Sequence, residues 1–172
     1  MITWLCSMVF HTRDFAATEQ LDYFAAGACT LYGTYYTVIR VFRLDRSTPR
    51  RRSVRRAWAG LCLALYFGHV AYLKVWDWDY EYNMMANVVV GLVQNLLWTW
   101  FSVDLYKKNG SVWSVVPGVV VMWVACMMSL ELLDFPPVWG CVDAHSLWHL
   151  GTIAPALLMY KYVPLPLLSL SC

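Results

Sequence analysis

Apolar positions along this chain fall in long blocks separated by short polar stretches. A membrane-spanning helix needs ~20 predominantly apolar residues, and the blocks at residues 21–42, 58–75, 84–105 and 112–133 meet or approach that length. A fifth block, 144–163, is helical in character but carries His145 and His149 in its first two turns. Residues 1–10, MITWLCSMVF, stay apolar for only half a span before His11, Arg13 and Asp14 arrive. They lack the basic leader and small-residue cleavage site of a signal peptide, and read instead as the second half of a helix. Residues 164–172 are apolar, proline-broken and too short to cross. The pattern predicts an all-α fold, a polytopic transmembrane helix bundle of five full spans plus an N-terminal half-span. Residues 1–163 form its single domain and 164–172 a short C-terminal tail.

Composition agrees. Hydrophobic residues make up 60% of the chain and charged residues 14%, against roughly half and about a quarter in an ordinary soluble domain. A soluble globule of this size has too little interior for so much apolar side chain, so the bilayer is its solvent. The net charge of +2 conceals an asymmetry, because six of the 13 Lys and Arg fall in the stretch DRSTPRRRSVRR at 45–56. Between two apolar spans such a run reads as a cytoplasmic loop obeying the positive-inside rule rather than as a nucleic-acid site. With the chain threaded back and forth, eleven of the 13 basic residues lie on that side, and nine of the 11 acidic ones lie at or near the other. The basic side is then cytoplasmic and the acidic side lumenal or extracellular. Trp76, Trp78, Tyr80 and Tyr82 suit an interfacial belt. The six cysteines show no CxxC pairing and imply no disulfide framework.

The most informative short motif is His145-Ser-Leu-Trp-His149. On a helix, positions i and i+4 share a face, so both imidazoles can point at one centre; two unrelated interfacial histidines are the alternative. Ser7 and His11 repeat the spacing on the first helix, and Asp22 opens the next. By the loop-charge topology His11, Asp22, His145 and His149 lie at the lumenal ends of their helices, with Ser7 one turn deeper. Ionisable groups at membrane depth are costly and usually face the bundle interior. Three histidines with an open position form the ligand set of a catalytic Zn²⁺, whereas structural zinc is closed by four protein ligands. Other polar residues read more plainly. Arg13 and Asp14 suit a surface ion pair or an outer-shell role, Asp143 a helix cap before an imidazole partner, and His69 a hydrogen-bonded packing residue. Glu131 and Asp134 suit a solvated rim, and Asn87, Gln94 and Asn95 helix–helix glue.

The stretches FHTRDFAATEQLDYF (10–24), HVAYL (69–73), WDYEYN (78–83), ELLDFPP (131–137) and DAHSLWH (143–149) resemble the Per-like family, also called post-GPI attachment to proteins factor 3. The resemblance covers nearly the whole chain, in order and spacing. That family is similar to the seven-helix membrane hydrolases that include alkaline ceramidases and adiponectin-type receptors, with a serine, an aspartate and three histidines around an intramembrane zinc. Carried over by motif, Ser7 and Asp22 are the catalytic residues and His11, His145 and His149 the metal ligands. A full member carries a cysteine-containing lumenal domain, one span and half of another ahead of the HTRD motif, so the resemblance implies an N-terminally truncated chain.

What the resemblance implies is lipid remodelling in the secretory pathway. The expected reaction is a zinc-dependent, phospholipase A2-type removal of the sn-2 acyl chain from the phosphatidylinositol of a GPI anchor. GPI-anchored proteins and their lipid are then the substrates and the bilayer the medium, with no nucleic acid involved. The expected location is the endoplasmic reticulum, alternatively the Golgi apparatus, with a lumenal site that agrees with the side assigned from loop charge. Zinc would acidify its bound water, Asp22 would act as general base, and Ser7 would donate to the oxyanion or position the water. A ceramidase-like amidase of the same superfamily, or a non-enzymatic receptor or scaffold with structural zinc, are the alternative readings.

Overall fold

A computed structural model describes residues 2–46, 48–133 and 135–162. The tail 164–172, Val163, Asp134 and the Glu131 side chain, all named above, lie outside the described residues. The fold is all-α. Among the described residues six α-helices follow in order: α1 (Ile2–Thr12), α2 (Ala16–Val41), α3 (Pro49–Ala71), α4 (Tyr80–Asn109), α5 (Val116–Leu133) and α6 (Ala144–Tyr162). A π-helical turn, Tyr72–Trp76, extends α3, and a 3₁₀ turn, Val112–Val115, leads into α5. Among the described residues the sole β pairing is one isolated bridge, Val138 to Val142.

Among the described residues three helical stretches are long and apolar enough to cross a membrane: Pro49–Trp76, Tyr80–Asn109 and Val112–Leu130. The chain is a membrane protein. The 26-residue α2 and the 19-residue α6 have the length, but their apolar content is diluted, in α2 by its threonines, tyrosines and glycines together with Glu19, Asp22 and Arg40, and in α6 by His145, His149 and Lys161.

The chain divides into two compact units, Met1–Leu97 and Trp98–Cys172. In the first, α2 packs against both α1 and α3. Polar side chains tie its helices where apolar partners alone would slide. The Thr34 hydroxyl lies 3.4 Å from Gln94 Oε1 on α4, and Gly33 is small because a Cβ there would stand 2.7 Å from that same oxygen. Tyr66 Oη on α3 donates to the Phe24 carbonyl at 3.1 Å, and Trp58 Nε1 to the Tyr35 carbonyl at 3.3 Å. The helix-glue reading of Gln94 is met, whereas Asn87 donates within its own helix to the Asn83 carbonyl at 2.9 Å.

The stretch 45–56 departs from the loop that its charge predicts, because residues from Pro49 onward are already helical. Proline at the first helical position fixes φ and loses no needed N–H, and arginine is a good helix former. Before it, α2 ends in a Schellman motif. Arg43 takes φ +52°, its N–H reaches the Arg40 carbonyl at 3.3 Å, and the Leu44 N–H reaches the Ile39 carbonyl at 2.9 Å. Leu44 is buried, and Arg51 Nη1 donates to the Arg43 carbonyl at 2.7 Å.

In the second unit α5 and α6 form the main packing pair. Gly151 allows it, since a Cβ there would collide with the Met127 side chain, and Trp123 Nε1 donates to the Gly151 carbonyl at 2.8 Å. Ser102 Oγ on α4 accepts the Gly118 N–H at 2.8 Å, an N–H left without an intrahelical partner by the start of α5.

Candidate metal site

Within α6, His145 and His149 stand one turn apart on one face, both half-buried. Their Nε2 atoms are 3.0 Å apart, with ring centroids at 4.6 Å and planes at 82°. Two facing ring nitrogens cannot both carry a hydrogen at that distance, so at least one offers a lone pair to the space between them. Two nitrogens bound tetrahedrally to zinc at ~2.0–2.1 Å would be about 3.3 Å apart. The pair therefore fits the edge of a zinc coordination sphere with a shift of a few tenths of an ångström.

The helix start fixes this face. Asp143 Oδ1 accepts the Ser146 N–H at 2.7 Å, and the Asp143 N–H reaches back to Ser146 Oγ at 3.1 Å. This is a reciprocal capping box, so Asp143 is a cap, as its position suggested. Ser146 is a site residue that the histidine motif does not announce; the signal for it is an acceptor three residues after the cap Asp143. The Ser146 N–H, and after it the Ser146 hydroxyl, hold the Asp143 carboxyl below its ordinary value, with His145 adding to the effect. A carboxylate favoured in the folded state stabilises it above the ordinary carboxylate range, and that contribution disappears as pH falls through the lowered value. An Asp143→Asn protein keeps an equivalent cap without this titration. Hydrogen-exchange protection in the first turn of α6 is expected to fall on acidification in the wild type and to vary less in the variant. Identical acid dependence in both would contradict the assignment.

In the first unit Ser7 is buried on α1 and His11 is exposed one turn later, at the last full turn of that helix. Asp22 is half-buried in the second turn of α2. The turns that bear them are set by aromatic packing. Phe10 meets Tyr23 edge-on at 6.2 Å, and Tyr23 stacks on Trp78 at 5.7 Å with planes only 2° apart. The link between α1 and α2 is short and tied. Thr18 Oγ1 accepts the Phe15 N–H at 3.0 Å and donates to the Arg13 carbonyl at 2.8 Å. No ion pair joins Arg13 to Asp14; the Arg13 guanidinium lies 4.7 Å over the Phe15 ring instead. His69 is a hydrogen-bonded packing residue, with Nε2 3.1 Å from Oδ1 of buried Asn83 and its ring 5.4 Å from Tyr82. Cys6, Cys29, Cys62, Cys126 and Cys141 are free thiols.

Apolar helices with a histidine pair held at the start of the last one define a helical membrane protein with a candidate metal-binding edge. Comparison with known proteins gives its family: residues 1–165 match the model of the Per1-like family, and the chain belongs to it. The Protein PER1 homolog of Schizosaccharomyces pombe (strain 972 / ATCC 24843) is 42% identical over 163 residues, 95% of this chain and 49% of that protein. The GPI-specific phospholipase A2-like PGAP3 of Mus musculus is 41% identical over 160 residues, 93% of this chain and 48% of that protein. Its namesake in Homo sapiens is 37% identical over 160 residues, with the same coverage. The chain spans about half the length of these curated relatives. No solved structure matches it.

Proposed function

We propose that this chain carries the reaction centre of a zinc-dependent, phospholipase A2-type esterase that removes the sn-2 acyl chain from the phosphatidylinositol of GPI anchors. The observation that carries the reading is the His145–His149 pair, whose Nε2 atoms converge to 3.0 Å on a capped helix start. The names of relatives about 40% identical, GPI-specific phospholipase A2-like, supply the substrate class. In this reading His11 is the third ligand. His11, His145 and His149 would hold the zinc, which when bound would supply an acidified water and a Lewis acid for the ester carbonyl. The Asp22 carboxylate accepts the proton of the attacking water and returns it to the leaving alkoxide oxygen. The Ser7 hydroxyl donates to the oxygen that becomes negative in the tetrahedral transition state. The acidic ends of the helices face the lumen of the endoplasmic reticulum or Golgi, where a GPI anchor presents its lipid.

The test is a mass-spectrometric analysis of anchor lipids in cells expressing the protein with His149→Ala in place of the wild type. Retention of the unsaturated sn-2 chain on GPI is expected. Normal loss of that chain would overturn the reading, and accumulation of ceramide with unaltered GPI lipid would replace it by a ceramide amidase.

A further inference from the structure

The start of α3 concentrates positive charge that no acidic group among the described residues answers. Arg50, Arg51, Arg52, Arg55 and Arg56 fall within its first eight residues, and its first turn holds no acidic residue. Arg51 is engaged by the Arg43 carbonyl. The side chains of Arg46, Arg50, Arg52, Arg55 and Arg56 make no hydrogen bond or ion pair among the described residues. The arrangement opposes helix formation in two ways. Cations stand at the positive end of the helix dipole, and like charges repeat at the i, i+4 pairs 51/55 and 52/56. Anions from outside the chain would relieve both.

The length of the helix places these arginines. Pro49–Trp76 is one helical stretch of 28 residues, about 42 Å at 1.5 Å per residue, against a hydrocarbon core of ~30 Å. Residues 57–76 fill that core, which leaves the first eight residues, about 12 Å, beyond its edge. Arg52, Arg55 and Arg56, related by i, i+3 and i, i+4 spacing, share one face and lie about 2–8 Å outside the core along the axis. That interval is the headgroup layer, where lipid phosphates sit. The capped α2 terminus and the Arg51–Arg43 bond hold the helix start in place.

We infer that Arg52, Arg55 and Arg56 form a binding site for anionic phospholipid headgroups in the leaflet on the basic side of the protein. Guanidinium forks match phosphate oxygens in pairs. A phosphatidylserine phosphate and carboxylate supply two anionic groups at the depth of the three arginines. Nucleic acid shares the charge but not the location, since these side chains stand within the headgroup layer.

The experiment is native mass spectrometry of the full chain released from nanodiscs of phosphatidylcholine with about one-fifth phosphatidylserine, the anionic character of such a leaflet. The wild type is expected to retain phosphatidylserine about fivefold above its bulk share, or ~1 kcal/mol, and to lose that enrichment as salt is raised. R52Q/R55Q/R56Q is expected to retain lipid at the bulk ratio, and R52K/R55K/R56K to keep part of the enrichment. Bulk-ratio retention by the wild type, or equal enrichment in the glutamine variant, overturns the inference. Should the glutamine variant fail to fold, salt-independent retention by the wild type overturns it equally. Displacement of the retained lipid by a short single-stranded RNA would assign the patch to nucleic acid instead.

Discussion

An Asp22→Asn protein is expected to lose about 10²–10⁴-fold in GPI-lipid deacylation, the usual contribution of a positioned general base, while its zinc content and helix content stay at wild-type levels. The amide is nearly isosteric but cannot take a proton from water. The backbone that presents it is fixed by groups the substitution leaves alone: Tyr23, the next residue, stacks on Trp78 and meets Phe10, and Thr18 ties the preceding turn to Arg13. Quantitative analysis of released fatty acid, beside metal analysis of the same preparation, separates the roles. Wild-type hydrolysis by this variant would make Asp22 a structural residue. Loss of zinc along with activity would make it a ligand or a ligand's support.

The second large effect is expected from His145→Ala. Removing an imidazole leaves its neighbour without the partner 3.0 Å away and should empty the site of zinc. The Lewis-acid contribution to such a reaction is several kcal/mol, so hydrolysis should fall by at least about 10³-fold at ~1.4 kcal/mol per tenfold. Alanine is the best helix former and the Asp143–Ser146 box caps the same turn independently, so α6 should persist. Unchanged circular dichroism with absent activity is the expected signature; retained activity would remove His145 from the site.

The helical character of the chain was legible because a bilayer demands long apolar blocks, and each predicted block is helical over its described residues. Their ends were less so. Charge made 45–56 read as a loop, yet Pro49 and the arginines after it are suited to a helix start, and charge alone does not report backbone conformation. The histidine pair was legible because i, i+4 spacing places two side chains on one face by geometry alone. Asp143 was legible as a cap; the Ser146 spacing is compatible with a reciprocal box, but a serine in a first turn is common, and the fold shows that it closes one. Arg13 and Asp14 suggested an ion pair by adjacency. Neighbouring residues point in different directions, and the Phe15 ring two positions on captures the guanidinium. His69 gave no sign of its partner, since Asn83 is 14 residues away on another helix.

In the proposed centre His11, from the first helix, serves the same zinc as His145 and His149. Zinc per chain, measured by plasma emission spectroscopy on the purified intact protein, tests it most directly, with wild type set against His11→Ala. One equivalent in the wild type and a loss of most of it in His11→Ala is the predicted result. A full equivalent retained by His11→Ala would remove His11 from the zinc site, and no zinc in the wild type would rule out the metal centre.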